Sequence, residues 1–435
     1  MSLPQRAAAT RDPASGAGQA AAKSSAGKTR TPQPLRPAFP EFVALIALLM
    51  GMTAFSIDNL LPAFGAIRAD FALADPNRVQ VMVYAYLLGI GAAQFFYGPV
   101  SDVLGRRPIL FAGLAIYAAG SLIALFTTDF NVLIAARVIQ GVGAAAGRVL
   151  AIAIVRDRFE GREMARIMSL SMMVFLTVPI VAPALGSVIL VFGSWHLIFV
   201  AMLALALLLW VWFGLRMPET LHPEYRIPFS LRGIGRAVVL TLTTRRSAGY
   251  AVAIGLMMGS LMAYVGSASQ VFQTDIYKLG HLFPVAFAAV AGIMAVAAFI
   301  NASLVRRVGM RRLSHGGICG FIATGALMVG SSLAFDGKPP LVLFCALVAS
   351  AQFLFALTVP NFNSMAMEPL GAVAGTASSF IGGFTTLMSS VLGFFVGRAF
   401  DGTVLPLSLG YMVLGAIALG WVLWAEKGRL FGHNP

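Results

Sequence analysis

Long runs of apolar residues recur along the whole chain and most strongly limit how it can fold. Of the 435 residues, 58% are hydrophobic and only 11% are charged, a balance outside the usual range of soluble domains. A helix needs about 20 apolar residues to cross a bilayer, and the runs reach that length. We therefore predict an all-α integral membrane protein with twelve transmembrane helices. The predicted spans are 41–62, 79–101, 108–127, 131–154, 164–190, 195–214, 248–271, 283–305, 313–335, 339–360, 370–397 and 404–424.

The charged residues lie in the connections between these runs and indicate an orientation. The formal net charge is +14, which in a soluble protein would suggest nucleic acid as a partner. Here the basic residues collect in both terminal segments and in every second connection, so the positive-inside rule places both termini in the cytoplasm. We expect the lipid bilayer as a partner and no nucleic acid. The basic residues of the connections include Arg106, Arg107, Arg156, Arg158, Arg162, Arg166, Arg306, Arg307, Arg311 and Arg312.

The connection at residues 98–110 carries a dense polar signature between two apolar runs. Gly98 loosens the end of the second run, Asp102 brings a carboxylate to the membrane edge, and Gly105 permits a sharp turn before Arg106 and Arg107. This pattern resembles the Gly-x-x-x-Asp-x-x-Gly-Arg-Arg signature of the major facilitator superfamily. The resemblance implies that these residues form a latch that helps to hold one conformation of an alternating-access carrier. The alternative is an ordinary basic cytoplasmic turn.

The resemblance also implies a domain organisation of two parallel six-helix repeats. The predicted segments are a disordered cytoplasmic tail at 1–40, a six-helix bundle at 41–214, a cytoplasmic linker at 215–247, a second bundle at 248–425 and a cytoplasmic tail at 426–435. A shift of 204 residues places Gly309 on Gly105 and Arg311 on Arg107, so residues 308–312 look like a degenerate copy of the first signature. Asp102 falls on Arg306, and the second copy therefore lacks its acid.

Two charged residues within the spans are candidates for proton coupling. Asp58 is the only carboxylate well within a span, and burying it is costly unless it is protonated or paired, so it could carry a proton. Its setting resembles the superfamily motif Asp-x-Tyr-Leu-Pro, with Leu60 in place of the tyrosine. Arg137 matches the superfamily motif Arg-x-x-Gln-Gly-x-Gly, whose arginine is associated with proton coupling, and its pairing with Asp58 is a hypothesis. The alternatives are a helix-end carboxylate satisfied by water or an arginine, and a purely structural Arg137.

Two prolines and a glycine mark the fifth span as a kinked helix. Pro179 and Pro183 each remove a backbone hydrogen bond, and Gly186 permits close packing against a neighbouring helix. The segment resembles the Gly-Pro-x-x-Gly signature associated with proton antiporters, with Ala182 in place of the first glycine. Kinked helices without that role are common in membrane proteins and provide the alternative.

Three further stretches, at residues 264–273, 301–306 and 363–379, narrow the resemblance. The most specific is Glu-Pro at 368–369, followed by Ala-Gly-Thr-Ala-Ser-Ser at 374–379. Together they look like the drug-resistance branch of the superfamily named for bicyclomycin and chloramphenicol resistance (Bcr/CflA). The sequence departs from that branch at His196, where the family often has arginine after the tryptophan.

A substrate cavity in such a carrier would combine uncharged polar groups with apolar surface, which suits poorly hydrated, amphipathic ligands. Arg148 lies eleven residues after Arg137 and therefore close to the same helix face. It either adds a cation to the inner half of the cavity or reaches the cytoplasmic surface. The other cavity candidates could equally pack or face lipid. The candidates are Phe55, Asp58, Gln140, Arg148, Met257, Tyr264, Gln270 and Asn361.

These features favour a proton-coupled multidrug efflux transporter of the bacterial inner membrane, an antiporter for amphipathic compounds such as bicyclomycin- or chloramphenicol-like drugs. The alternative is an exporter of a small metabolite, such as an amino acid or a sugar, with the same fold. An enzyme would need clustered acids, histidines or a nucleophile, which the isolated His222, His281 and His315 do not supply. We expect no cofactor and no metal, and a monomer whose partners are a drug-like molecule and protons.

Overall fold

The computed structural model describes residues 37–226 and 230–432, which are largely helical. Twelve helices in this part of the chain are long and apolar enough to cross a bilayer, which confirms the predicted number. The chain is therefore a multi-pass membrane protein. Residues 1–36 of the predicted tail lie outside the described residues. The helices are α1 (Phe39–Asp58), α2 (Val81–Leu104), α3 (Arg106–Phe126), α4 (Phe130–Arg158), α5 (Gly161–Phe192), α6 (His196–Arg216), α7 (Arg245–Ala268), α8 (Phe283–Val308), α9 (Met310–Ala334), α10 (Leu341–Met367), α11 (Ala374–Arg398) and α12 (Leu405–Ala425).

The connections between the helices divide between two faces of the molecule. The face that holds the α2–α3, α4–α5, α6–α7, α8–α9 and α10–α11 connections and the end of α12 carries most of the arginines, and we call it the basic face. The face that holds the α1–α2 connection and the other connections is called the opposite face. The α6–α7 connection contains a further helix, Leu231–Thr243.

A single glycine joins α2 to α3, and another joins α8 to α9. Gly105 has a φ of 102° and Gly309 a φ of 85°, a backbone conformation that residues with a side chain rarely adopt. One residue therefore suffices to reverse the chain at both places. The two turns share this geometry, as the 204-residue shift between them predicts.

Helix α4 packs against three neighbours through positions that have no side chain. A methyl group at Gly141 would collide with the backbone carbonyl of Tyr86 on α2, and one at Gly143 would collide with the backbone of Tyr117 on α3. A Cβ atom at Gly147 would lie 2.9 Å from the carbonyl oxygen of Leu49 on α1. Small residues let membrane helices approach closely, which strengthens the van der Waals packing that helps to hold them together. These glycines thereby hold α4 between α1, α2 and α3.

The first six helices meet the last six mainly along α2 with α11 and along α5 with α8. Along α2 the approach is again close: a Cβ atom at Gly91 would lie 2.7 Å from the side chain of Leu387, and one at Gly98 would lie 2.8 Å from the hydroxyl of Ser379. Helix α5 runs unbroken through both of its prolines. Gly98 thus lies at the contact between the two sets of helices.

Alanine in place of Gly141 tests whether this packing sets stability. We expect the free energy of unfolding to fall by about 1–3 kcal/mol, because the added methyl group overlaps the carbonyl of Tyr86. The measurement is reversible unfolding of the purified protein in mild detergent. Alanine at Gly330 in α9 is the control, since no described atom lies within 4 Å of the added carbon, and it should be neutral or slightly stabilising. Equal losses of unfolding free energy at Gly141 and Gly330 would contradict the interpretation that close helix packing at Gly141 stabilises the protein.

Candidate functional site

The side chain of Arg137 lies at the centre of the first six helices and is fully buried. Its Nη2 atom donates to the carbonyl oxygen of Ser56 on α1 at 2.9 Å, and its Nε atom donates to the carbonyl oxygen of Met82 on α2 at 3.3 Å. Its Nη1 atom donates to Oε1 of Gln140 at 2.7 Å, one turn further along α4. The guanidinium also lies 4.3 Å from the ring centroid of Tyr86. One side chain therefore contacts α1, α2 and its own helix.

Gln140 extends this network to two more helices. Its Nε2 atom donates to the hydroxyl of Ser121 on α3 at 2.7 Å and lies 3.7 Å from the sulfur of Met202 on α6. The hydroxyls of Ser56 and Tyr117 share a hydrogen bond of 2.5 Å between α1 and α3. Five of the first six helices are thus joined by one buried polar network around Arg137.

The guanidinium of Arg137 has no carboxylate partner within 4.0 Å among the described residues. Carbonyl oxygens, an amide oxygen and an aromatic face stabilise the charge instead. The hypothesis that Arg137 pairs with Asp58 is therefore wrong for this conformation. The link between them runs through the backbone, because Arg137 binds the carbonyl of Ser56, two residues before Asp58.

Asp58 is the last residue of α1 and is 5% exposed. No ion pair within 4.0 Å connects it to any described residue. The next residue, Asn59, is buried, and neither its Oδ1 nor its Nδ2 atom has a hydrogen-bond partner in the described chain. The hydroxyl of Tyr264 on α7 is similarly unpaired, and Tyr264 is near enough to Asp58 for an electrostatic interaction. Unpaired buried polar groups are rare, so this cluster is a candidate for binding a polar ligand or a proton.

The antiporter-like residues of α5 lie beside this cluster. A methyl group at Gly186 would collide with the backbone carbonyl of Asn59, so α5 approaches α1 directly after Asp58. Pro183 is buried and Pro179 is half-buried. The sequence motif that resembles the antiporter signature is therefore adjacent to the candidate proton carrier.

The remaining cavity candidates fall in different places. Phe55 and Arg148 are half-buried, whereas Met257 is fully buried. Asn361 donates to the side-chain oxygen of Asn301 on α8 at 2.8 Å and to the carbonyl oxygen of Leu357 at 2.7 Å. The structure brings Asp58, Arg137 and Gln140 together around α1 and α4, and it places Gln270 at the opposite face. The cavity assignment of these residues stays a prediction.

An amide cluster, formed by Asn77, Gln80, Gln270 and Gln273, joins the first and last six helices at the opposite face. The side chain of Gln80 donates to Gln270, which lies in a π-helical turn at the end of α7. Gln270 also donates to Oδ1 of Asn77 at 2.9 Å, and Gln273 donates to the carbonyl oxygen of Pro62 at 3.1 Å. Asn77 donates in turn to two backbone carbonyls at the end of α11. This cluster links the two sets of helices at the opposite face. Sequence reasoning missed Asn77 and Gln80 because uncharged connection residues give no signal.

The predicted latch at the basic face centres on Arg106, which is 3% exposed. Its guanidinium contacts Oδ1 of Asp102 at 2.6 Å, Oδ2 of Asp157 at the end of α4 at 2.8 Å, and the hydroxyl of Ser101 at 2.6 Å. Sequence reasoning missed Asp157, although an acid between two arginines in a basic connection was an available signal. Arg106 thus ties the α2–α3 turn to α4.

A second acid completes this turn from the connection after α6. The Oε1 and Oε2 atoms of Glu219 accept hydrogen bonds from the backbone nitrogens of Arg106 and Arg107, at 2.9 and 3.0 Å. These nitrogens lie at the start of α3, where a helix favours negative charge. Gly105 leaves room for the carboxylate, since a Cβ atom there would lie 2.6 Å from Oε2. Arg107 donates to the carbonyl oxygen of Gly214 at 2.7 Å, so α3 is bound to the end of α6.

The degenerate copy of the signature at α8–α9 obtains an acid from a distant part of the sequence. The nearest carboxylate oxygen of Glu426, directly after α12, lies 3.5 Å from Nε of Arg311 and accepts from the hydroxyl of Tyr250 at 2.8 Å. That hydroxyl also contacts Nε2 of His315 at 3.1 Å, while Nδ1 of His315 accepts from the backbone nitrogen of Phe431. Glu426 thus brings a carboxylate to Arg311, the counterpart of Arg107, and the C-terminal segment is fixed to α9.

Comparison with known proteins agrees with this geometry. Residues 44–394 match the family described as Major Facilitator Superfamily. The chain belongs to the Major Facilitator Superfamily. It is 34% identical over 363 residues to an uncharacterized MFS-type transporter, YdgK, of Bacillus subtilis (strain 168), covering 81% of this chain and 88% of that protein. It is 30% identical over 380 residues to a bicyclomycin resistance protein homolog of Haemophilus influenzae, covering 84% and 91%. The resemblance to the Bcr/CflA branch is thereby confirmed.

A solved structure supports the fold independently. The crystal structure of a D-xylose-proton symporter aligns with a TM-score of 0.68 and covers 90% of this chain and all of that one, at 14% sequence identity. At that identity the likeness shows the fold alone. The twelve-helix architecture of the Major Facilitator Superfamily is thus confirmed for this member.

A double-mutant cycle on Arg106 and Asp157 tests the latch of this superfamily member. Removing Arg106 leaves Asp157 largely buried without this partner, and removing Asp157 leaves Arg106 with Asp102 as its remaining acid among the described residues, so the two changes to alanine should be coupled by about 1–3 kcal/mol in the free energy of unfolding. The control is the pair Arg216 and Glu41, whose arginine is 47% exposed and should couple more weakly. Coupling no stronger than in the control would show that Arg106 and Asp157 act separately.

Proposed function

We propose that the chain is a proton-coupled multidrug efflux transporter that exports amphipathic, drug-like compounds by alternating access. Membership of the Major Facilitator Superfamily supports transport, and the identity to a bicyclomycin resistance protein homolog supports a drug as cargo. The observation that carries the proton step is Asp58, a buried carboxylate without an ion-pair partner among the described residues. The transporter acts as a monomer, and it uses the proton gradient as its energy source.

The proposed location is the bacterial inner membrane, with the basic face and both termini in the cytoplasm. The distribution of arginines supports this orientation, because basic residues are retained on the cytoplasmic side. In this orientation the amide cluster bridges the two bundles at the periplasmic face.

Alternating access in this proposal is a rocking of two six-helix bundles, residues 41–214 and 248–425. The glycine-lined contact of α2 with α11 supports it, since backbones in close contact can slide without rearranging long side chains. The residues Gly98, Asp102, Gly105, Arg106 and Arg107 latch one conformation. The close approach of Gly98 to Ser379 on α11 supports that role, because it places the start of this segment at the contact between the two bundles.

Asp58 couples the proton to the cargo because both use the same buried site. Without a partner the carboxylate is stable in the membrane interior only when it is protonated. Cargo that offers Asp58 a hydrogen-bond donor or a positive charge stabilises the ionised form and so displaces the proton. The unpaired polar atoms of Asn59 and Tyr264 support binding at this place. Arg137 stays fixed and positions α1 through the carbonyl of Ser56.

The test follows ΔpH across inverted membrane vesicles with a fluorescent dye while chloramphenicol is added. We expect chloramphenicol to release protons from vesicles that contain the native protein, and we expect Asp58→Asn to abolish this release, because the amide cannot carry the proton. The matched control is Asp336→Asn, at an exposed position with a φ of 49° that asparagine tolerates.

The outcomes separate the parts of the proposal. If proton release persists in Asp58→Asn, a residue other than Asp58 carries the proton. If the native protein releases no protons with chloramphenicol or other amphipathic drugs, the drug-efflux proposal fails. A screen of amino acids and sugars would then test export of a small metabolite.

A further inference from the structure

We propose that the preferred cargo is a zwitterionic amphiphile whose cationic group binds Asp58 and whose anionic group binds Arg148. This inference rests on the proposed export function and names its substrate class. It starts from two opposite charges, on neighbouring helices α1 and α4, neither of which has an ion-pair partner among the described residues.

Arg148 is a half-buried cation on the inner half of α4. No hydrogen bond, ion pair or ring contact connects its guanidinium to a described residue, in contrast to Arg137 on the same helix. Eleven residues separate the two arginines, so they lie within about 20° of one another around the helix axis. Arg137 contacts α1 and α2, and Arg148 therefore faces the same pair of helices nearer to the basic face. An unpaired guanidinium in this position is stabilised by an anion.

The register of α1 against α4 brings Arg148 towards Asp58. Arg137 contacts Ser56, and Gly147 approaches Leu49, so the two helices run antiparallel and Arg148 is level with Leu49. Nine residues of α1 then separate the levels of the two charges, a rise of about 14 Å. Side chains in a helix lean towards its N-terminus. Because the helices are antiparallel, Asp58 and Arg148 lean towards each other, and the gap between their charged groups is shorter than the rise.

The surface between the two charges suits the apolar body of such a cargo. Phe55 is three residues before Asp58, on the same face of α1, and is half-buried, as is Leu48 two turns further along that face. An aromatic ring system that spans this stretch would pack against Phe55. Its cationic end would take the place of the proton on Asp58, and its anionic end would neutralise Arg148. Cargo and proton therefore compete for one carboxylate, while Arg148 selects the cargo that carries an anion.

The experiment compares two fluorescent probes on the purified protein in detergent by fluorescence anisotropy. Ciprofloxacin carries an ammonium and a carboxylate group, and its ethyl ester keeps the ammonium but lacks the carboxylate. We expect the native protein to bind ciprofloxacin at least tenfold more tightly than the ester. We expect Arg148→Met to remove this preference. The affinity for ciprofloxacin should fall at least tenfold, while the affinity for the ester stays the same within twofold. Arg148→Lys should keep part of the preference, and Asp58→Asn should lower the affinity for both probes.

The control is Arg156→Met, which removes an exposed arginine two turns further along α4 and should leave the affinity for both probes unchanged. Arg148→Gln replaces Arg148→Met if the latter does not fold, as judged by monodispersity and thermal unfolding. Equal loss of both probes in the Arg148 variants, or no change in either, would overturn the inference. So would failure of the native protein to bind ciprofloxacin. Because binding is measured without a gradient, these results are independent of the vesicle assay with chloramphenicol, which tests the proposed function.

Discussion

The burial of one guanidinium that has no carboxylate partner among the described residues is the constraint on which the first half of the molecule depends. Arg137 is held by two backbone carbonyls, the amide of Gln140 and the face of Tyr86. The charge is satisfied only if α1, α2 and α4 keep their positions, because each provides one of these groups. The glycines of α4 allow that approach, since a methyl group at Gly141 or Gly143 would separate the helices. Electrostatics and close packing therefore require the same arrangement.

This rigidity gives Asp58 its properties. The carbonyl of Ser56, two residues before Asp58, accepts a hydrogen bond from Arg137, and Gly186 of α5 packs against Asn59, the residue after Asp58. Asp58 is thus held in place by its backbone while its carboxylate is left without an ion-pair partner in the described chain. A carboxylate of this kind can exchange a proton for a ligand without rearrangement of the helices around it. Arg148, which lacks such bonds, offers a second charge on the same side of α4.

The sequence was sufficient to predict the twelve spans and the two glycine turns, because apolar length and the need for positive φ are local properties. It also placed Asp102 and Arg106 in one short connection, where the structure shows them as an ion pair. It did not reveal the contacts of Asp157, Glu219 or Glu426, since these acids approach the turns only after distant helix ends are folded against them. Only Asp157, which lies between two arginines, gave a local signal in the sequence. The pairing of Asp58 with Arg137 was wrong for the same reason: the backbone carbonyls that satisfy Arg137 are invisible in a list of charged residues.

The amide cluster that links the two sets of helices at the opposite face has a consequence for the environments in which the molecule can function. Glutamine and asparagine do not titrate, and their hydrogen bonds are only weakly affected by dissolved salt. Among the described residues, the ion pair found at this face is that of Arg68 with Asp275, which is long at 4.0 Å and partly exposed, so it contributes little. In the proposed orientation this face meets the fluid outside the cell, whose acidity and ionic strength vary with the habitat. The hydrogen bonds of the amide cluster would therefore keep their strength when a bacterium moves between acidic, neutral and saline surroundings.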